Sequence, residues 1–186
     1  MLFRSAEPVP DPRTVQLDSV VAEALDRCRL RATARGISLE MTGEPGICVQ
    51  GDEDLLVTAL RNLLENAIAY SPDKTRVEVT TQATDSWMAE ISVTDQGIGI
   101  PERDRERIFE RFYRVDPARS RATGGTGLGL AIVKHVTAAH GGNVTVWSKE
   151  GGGSTFTLRL PLRPARPYSA NGSDHAQARS VREAYT

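Results

Sequence analysis

Residues 62–72 read NLLENAIAYSP, and this stretch decides the fold because it is an apolar helix interrupted by amides. Helical spacing places Asn62, Asn66 and Tyr70 four residues apart, on one face. Interior asparagines lower helix propensity, so two of them at this spacing need a reason. Either their carbonyl oxygens bind Mg²⁺, which prefers oxygen ligands, or each amide bonds the backbone of a neighbouring loop.

Helices and short strands alternate on both sides of this stretch. The apolar patterns predict helices over 14–35, 52–70 and 128–140, and strands over 37–41, 47–50, 77–79, 88–94, 144–147 and 155–160. Thr14 or Asp18 caps the first helix, Gly36 stops it, and Asp52 caps the second. Strands that pair off beside helices predict an α+β, two-layer α/β sandwich: a mixed, largely antiparallel sheet with helices on one face.

A second segment, DQGIGIP at residues 95–101, directly follows a predicted strand. Gly97 and Gly99 allow the backbone to turn sharply or to approach a ligand closely. The carboxylate of Asp95 either accepts a hydrogen bond from an exocyclic amine such as that of adenine, or forms a plain Asx-type turn. The long irregular stretch that begins here, 95–126, is typical of a functional loop.

Two further segments follow. In IFERFYR, residues 108–114, Phe109 and Phe112 are predicted to face inward together and anchor the loop. In GGTGLGLAIV, residues 124–133, a Gly-rich loop enters a helix N-terminus, which is an anion site because free N–H groups and the helix dipole point the same way. Three arginines just before it either meet phosphate or form a solvated face: Arg114, Arg119 and Arg121.

In this order and spacing, the four segments resemble the N, G1, F and G2 boxes of sensor histidine kinases, members of the GHKL ATPase superfamily with the Bergerat fold. The resemblance covers about residues 14–162, and it leaves 1–13 as a linker or the end of a dimerisation helix. Residues 163–186 are polar and are expected to form a disordered C-terminal tail. The stretches around Ala69 and Arg119 look most like phosphate-responsive kinases of the PhoR kind.

This resemblance implies ATP and Mg²⁺ as cofactors, and it assigns roles to residues. Asn66 is the Mg²⁺ ligand, with Asn62 beside it as the second catalytic residue. Tyr70 packs against the nucleotide, and Asp95 binds the adenine amine, with Thr155 nearby. The lid runs from about 101 to 125. The other implied nucleotide-binding residues are Gly97, Gly99, Ile100, Tyr113, Arg114, Thr126, Gly127, Leu128, Gly129 and Leu130.

The resemblance also bears on the reaction. In hydrolysing relatives a glutamate stands where this chain has Asn62, which is no general base, and Glu65 is predicted to lie off that face. The nucleophile is therefore expected from a histidine on a separate dimerisation domain. His135, His140 and His175 lack the surroundings of a phosphorylated histidine. The alternatives are a serine kinase of the anti-sigma type and a module that only binds nucleotide. The family often has Lys or Arg at the position of Ala69, so one phosphate contact is missing.

Composition sets the remaining expectations. A formal net charge of −1, from 23 Lys+Arg and 24 Asp+Glu, gives no push toward nucleic acid or an anionic membrane. The longest apolar runs are too short to cross a bilayer, and Cys28 and Cys48 fit no zinc pattern. The implied partners are the dimerisation-histidine domain of the same kinase and the receiver domain of a response regulator. This domain is expected to lie in the cytoplasm, as part of a parent protein that is a membrane sensor. The isolated domain is expected to be a monomer.

Overall fold

The computed structural model describes residues 7–84, 86–115 and 126–162. Its helices and strands, in chain order, are β1 Arg13–Gln16, α1 Leu17–Ala34, β2 Ser38–Gly43, β3 Cys48–Gly51, α2 Glu53–Tyr70, β4 Arg76–Thr84, β5 Met88–Asp95, α3 Gly129–Ala139, β6 Asn143–Ser148 and β7 Ser154–Pro161. Short 3₁₀ turns lie at Glu102–Asp104 and Arg107–Phe109. The predicted tail at 163–186, the start of the linker at 1–6 and the lid residues 116–125, with Arg119 and Arg121, lie outside the described residues.

Five strands form the main sheet in the order β2-β4-β5-β7-β6. The β2–β4 pair is parallel, and the other three pairs are antiparallel. A separate two-stranded sheet joins β1 to β3. The predicted mixed, largely antiparallel sheet with packed helices is therefore confirmed.

Strict alternation along the central strands builds the core. On β5, Ala89, Ile91 and Val93 are buried, and the residues between them are more exposed. The apolar face of α2 lies against this side of the sheet, with Leu60, Leu64 and Ile68 fully buried among others. Because side chains alternate with a period of two, the same face of β5 ends at Asp95.

Polar contacts hold both ends of α2. The Leu55 N–H donates to Asp52 Oδ1 over 3.0 Å, so Asp52 is the predicted N-cap. At the other end the guanidinium of Arg35 donates to the carbonyl oxygens of Ile68, Ala69 (3.3 Å) and Ser71 (2.9 Å). It also pairs with Asp73 at 2.8 Å. Arg35 thereby satisfies carbonyls that a helix end leaves without partners.

The first 50 residues depart from the sequence-based expectation. Residues 14–16 belong to β1, so α1 begins at Leu17, and neither Thr14 nor Asp18 caps it. Asp18 Oδ2 instead accepts from the Gly46 N–H at 2.7 Å. The predicted strands at 37–41 and 47–50 form β2 and β3, but they do not pair with each other: β3 pairs with β1, and β2 pairs with β4. Parallel strands need a crossover connection, and α2 provides it between β2 and β4.

His140 is a structural residue. Its Nε2 accepts from the Asp52 N–H at 3.0 Å, and its Nδ1 lies 2.8 Å from the Val136 carbonyl oxygen. A neutral imidazole with its proton on Nδ1 satisfies both partners, as expected for a histidine that is not an acceptor of phosphate. Nearby, the Val9 N–H donates to the Ala139 carbonyl at 3.2 Å, so residues 7–13 of the expected linker contact α3 and enter β1.

No helix within the described ranges is both long and apolar enough to cross a membrane.

We expect Arg35→Ala to lower the free energy of unfolding by about 1–2 kcal/mol, because three carbonyl oxygens at the end of α2 lose a charged donor. Urea denaturation measures this change. Arg29→Ala is the matched control, since Arg29 is exposed and pairs with Asp26 on its own helix; it should change stability by less than about 0.5 kcal/mol. Equal stability of the two variants would contradict the role of the Arg35 contacts with these carbonyls, the Arg35 clamp, in holding the end of α2.

Candidate functional site

A cavity of about 360 Å³ lies between α2, the N-terminus of α3, the ends of β5 and β7, and the loop after β5. This volume is in the range of small-molecule sites. The sequence-predicted residues that line it are Asn62, Asn66, Tyr70, Asp95, Gly99, Ile100, Tyr113, Arg114, Thr126, Gly127, Gly129 and Leu130. The predicted residues that do not line it are Gly97, Leu128 and Thr155. Most of the predicted site is therefore brought together.

Asp95 lines the cavity and is only 7% exposed. Its Oδ1 accepts from the Gly97 N–H at 2.8 Å and from the Ser154 N–H at 3.2 Å. Burial raises the pKa of this carboxyl, and the two backbone N–H groups act in the opposite direction. Gly97 lies directly against it: a Cβ there would come within 2.7 Å of Asp95 Oδ1 and 2.9 Å of the Tyr70 carbonyl oxygen.

The expected neighbour of Asp95, Thr155, lies on the other face of the sheet. The register pairs Asp95 with Ser154 and Thr94 with Thr155. The Thr155 hydroxyl accordingly lies 3.0 Å from the Thr94 hydroxyl. Ser154 lines the cavity in its place, so the prediction for Thr155 was wrong by one residue of strand alternation.

The other end of the cavity is formed where α2 meets α3. Asn62 Nδ2 donates to the Thr58 carbonyl of its own helix at 2.8 Å, rather than to a neighbouring loop. Its Oδ1 faces α3, since a Cβ on Gly129 would lie 2.9 Å from that oxygen. Asn66 lines the cavity one turn further along α2. Asn62 thus stands beside the N-terminus of α3, where backbone dipoles favour an anion, and Asn66 lines the same cavity.

The Gly-rich segment enters α3 through a left-handed residue. Gly127 has φ +72°, a conformation that side chains disfavour. Its carbonyl accepts from the Phe112 N–H at 2.9 Å, which ties the two ends of the loop together. A Cβ at Gly127 would meet the Phe112 backbone at 3.0 Å. Leu128 stands outside the cavity, and its N–H donates to Thr126 Oγ1 at 3.4 Å.

Of the two phenylalanines expected to face inward, only Phe109 does so. Its ring packs edge-on against Phe156 with 6.4 Å between centroids. Phe112 is 70% exposed, so that prediction was wrong. The 3₁₀ turn ends at Phe109, and Glu110 is extended with ψ 145°. One helical turn therefore does not span 109–112, and the two rings cannot share a face.

Tyr113 is held within the loop after β5 by two contacts. Its hydroxyl donates to Asp104 Oδ1 at 2.6 Å, and the Arg107 guanidinium lies 4.2 Å from the ring centroid. The hydrogen bond to Asp104 raises the pKa of Tyr113. Asp104 is itself buried, at 7% exposure. This arrangement fixes the described part of the loop against the cavity.

Several lining residues were missed. Glu65 was predicted to lie off the functional face, yet it lines the cavity. The cavity contacts more than one row of side chains along α2. The others are Arg31, Ala69, Ile98, Ile108, Val115, Ser154 and Phe156. The hydrophobic members carry no sequence signal beyond that of core residues. No cluster of three or more His, Cys, Asp or Glu side chains suited to a metal occurs within the residues that the structure describes.

Comparisons with known proteins agree with this geometry. The family described as histidine kinase-, DNA gyrase B-, and HSP90-like ATPase matches residues 51–164. The chain is similar to the sensor-like histidine kinase SenX3 of Mycolicibacterium smegmatis, with 54% identity over 162 residues, 87% of this chain and 42% of that protein. The chain therefore spans less than half the length of this curated relative.

Solved structures show the same fold. The mycobacterial sensor histidine kinase MprB matches with TM-score 0.72 and 38% identity, over 83% of this chain and 99% of that chain. Full-length ShkA in complex with AMPPNP matches with TM-score 0.73 and 30% identity, over 86% of this chain and 33% of that chain.

We predict that burial of Asp95 makes stability pH-dependent. Its pKa in the folded protein lies above the ordinary value of 3.8, so the folded state binds this proton more tightly than the unfolded chain does. The ionised form therefore costs stability at neutral pH, and that cost is relieved as pH falls through the raised pKa. Relative to Asp95→Asn, which does not titrate, the wild type should gain free energy of unfolding as pH falls toward 3.8.

Urea denaturation of both proteins over a pH series measures this difference, and it cancels the titration of all other carboxylates. If the free energy of unfolding of the wild type, taken relative to that of Asp95→Asn, stays constant or decreases as pH falls, the prediction is wrong.

Proposed function

The chain belongs to the family of histidine kinase-, DNA gyrase B-, and HSP90-like ATPases, and on that premise we propose that it binds Mg·ATP and directs the γ-phosphoryl group to a histidine of another domain. The observation that carries the proposal is one cavity with a buried carboxylate at one end and, at the other, a helix N-terminus that adjoins Asn62, with Asn66 one helical turn away on α2. These ends suit a base amine and a phosphate chain. The ATP analogue in the ShkA structure supports the nucleotide.

Asp95 is the proposed adenine-binding residue. Both of its backbone hydrogen bonds end on Oδ1, and the carboxylate retains acceptor capacity for the exocyclic amine of adenine. The Ile100 N–H donates to Ser148 Oγ at 2.8 Å, which holds the loop that flanks the base. Gly97 and Gly99 keep this loop close to α2 and β6. Tyr70 and Ile100 would pack against the nucleotide.

The phosphates would lie at the α2–α3 junction, against Gly127, Gly129 and the first N–H groups of α3. Asn66 fits an Mg²⁺ ligand, because it offers a neutral oxygen and the remaining ligands come from phosphates and water. The bound ion would neutralise charge on the transferring group. The proposal is supported by Asn62 Oδ1, which lies against Gly129, and by Asn66 in the lining of the same cavity.

Transfer to another domain, rather than hydrolysis, follows from the absence of a base at position 62. Asn62 uses its nitrogen on Thr58, and an amide cannot remove a proton from water at neutral pH. Glu65 lines the cavity, but it lies 3.7 Å from Arg61 in an ion pair. In the proposed step an imidazole nitrogen bonds the γ-phosphorus, the bond to the bridging oxygen breaks, and ADP leaves. Such a transfer needs mainly positioning and charge neutralisation.

The wider assignment is also part of the proposal. Residues 14–162 would form the catalytic domain, with a lid at about 101–125. Its partners would be the dimerisation-histidine domain of the same kinase and a response regulator receiver domain, with no contact to nucleic acid or membrane by this segment. The parent protein would be a membrane sensor with this domain in the cytoplasm. Responsiveness to phosphate stays a prediction.

Asp95→Asn should weaken ATP binding by about 2 kcal/mol, or roughly thirtyfold, while the fold is kept. The amide oxygen can still accept from Gly97 and Ser154, but its nitrogen then faces the donor amine of adenine. A base with a carbonyl at the same place would suffer less, so the preference for ATP over GTP should fall. Calorimetric titration with both nucleotides measures it. An unchanged ATP/GTP ratio would remove Asp95 from base recognition.

Gly127→Ala should slow phosphoryl transfer at least tenfold, because a Cβ at φ +72° strains the loop and meets the Phe112 backbone. The assay supplies γ-labelled Mg·ATP and a separate dimerisation-histidine domain. Gly46→Ala is the matched control: Gly46 has φ +77°, and nothing lies within 4 Å of a Cβ there. It carries the same backbone strain far from the cavity.

Acid-labile label on the added domain supports the histidine kinase. Free phosphate without an acceptor would indicate an ATPase, and acid-stable label on an added protein would indicate a serine kinase of the anti-sigma type. Nucleotide binding without any transfer would leave the binding-only alternative. Equal rates for Gly127→Ala and Gly46→Ala would contradict the role of the Gly-rich segment.

A further inference from the structure

Arg31 projects from α1 toward α2 at the level of the cavity. The two helices pack against each other, and the C-terminal end of α1 meets the C-terminal end of α2, where Arg35 binds the carbonyls that end α2. Cys28 lies near Arg61 and Glu65, because the charges of both act on its thiol. One helical turn beyond Arg31, the Arg35 guanidinium binds the carbonyls of Ile68, Ala69 and Ser71. Arg31, at the position between them on the same face of α1, therefore faces α2 between Glu65 and Ala69.

This position brings Arg31 to the wall of the cavity. It lines the cavity together with Asn62, Glu65, Asn66 and Ala69, which form the end that suits phosphate. Ala69 presents only a methyl group there, and Arg31 lines the cavity beside it. A long, flexible arginine can lay its apolar stem along such a surface and keep its charged head in solvent.

Charge balance makes this cation significant. A triphosphate brings several negative charges to the α2–α3 junction, and the described lining contains two arginines, Arg31 and Arg114. Among the described residues, no carboxylate forms an ion pair with Arg31. Glu65 is instead shared with Arg61 at 3.7 Å. Among the described residues, Arg31 is therefore exposed, has no carboxylate in an ion pair with it, and lines the end of the cavity that suits phosphate.

We propose that Arg31 is a phosphate-binding residue of this site, which reaches from α1 across Ala69 to place a guanidinium on the β- or γ-phosphate of Mg·ATP. The proposal rests on the proposed function, and it adds a residue outside the four segments that defined the site. A guanidinium offers a planar pair of donors that matches two phosphate oxygens. The cation missing at position 69 is supplied by the neighbouring helix.

The alternative is that Arg31 serves only the packing of α1 on α2, through the negative charge of Glu65. The two roles differ in what they do to ligands. If Arg31 contacts phosphate, its removal weakens the binding of ligands that carry phosphate and leaves adenosine unaffected. If Arg31 serves only packing, its removal changes stability and affects all ligands alike. Adenosine carries the base without phosphate, and it separates the two.

The test is calorimetric titration of wild type, Arg31→Ala and Arg31→Lys with Mg·ATP, Mg·ADP and adenosine. We expect Arg31→Ala to weaken Mg·ATP about tenfold and adenosine not at all, with Arg31→Lys between them. Arg29→Ala is the control, because it removes an exposed arginine from the same helix two positions away. It should leave all three affinities unchanged. Thermal unfolding of each variant monitors the fold, and Arg31→Gln replaces Arg31→Ala if the latter is unstable.

A rescue experiment sharpens the result. Ala69→Lys in the Arg31→Ala background places a cation at the same spot from α2, and it should recover most of the lost affinity for Mg·ATP. Three outcomes would each overturn the role of Arg31 and leave the proposed function standing. Arg31→Ala could bind Mg·ATP as tightly as the wild type does, it could lose equal affinity for ATP and adenosine, or Ala69→Lys could restore none of the lost affinity. Wild type that binds no nucleotide overturns both.

Discussion

Burial of one carboxylate, that of Asp95, is the constraint around which the site is built. Alternation along β5 sends Ala89, Ile91 and Val93 into the core and carries Asp95 to the edge of the same face. A buried carboxylate is costly without hydrogen bonds. The chain supplies two of them by turning at Gly97 and by pairing β5 with β7 at Ser154. The loop geometry, the strand register and the cavity floor therefore depend on one another.

The helix α2 links this floor to the opposite end of the cavity. One side of the helix is core, and another side carries Asn62, Asn66 and Tyr70 toward the cavity. Its two ends are held by Asp52 and by the Arg35 guanidinium. Because the amides stand on a helix that is fixed at both ends and buried along its length, their positions are set by packing rather than by a ligand. Such support is what a preorganised site requires.

Local sequence patterns predicted most of the individual helices and strands and most residues of the cavity. The helices α2 and α3, the strands β4, β5, β6 and β7, and most lining residues follow from apolar periodicity and from the four segments. Pairing between distant strands did not follow, because nothing in 37–50 distinguishes a hairpin from strands with other partners. Thr155 failed for a related reason: adjacent strand residues face opposite sides, so an error of one residue reverses the face. The prediction that Phe112 faces inward was wrong because Glu110 is extended, and a rule based on helical spacing cannot detect an extended residue.

Arg31 shows where motif reasoning stops. Nothing in the sequence around it is distinctive, and it enters the cavity only because α1 and α2 pack against each other. The site itself contributes mainly neutral dipoles: amides, backbone N–H groups and a helix N-terminus. Its cations reach it from other elements, Arg31 from α1 and Arg114 from the loop. The Arg35 clamp, one turn beyond Arg31, fixes the packing of α1 on α2. If Arg31 binds phosphate as proposed, the charge offered to phosphate depends on the same contact between α1 and α2 that stabilises the fold.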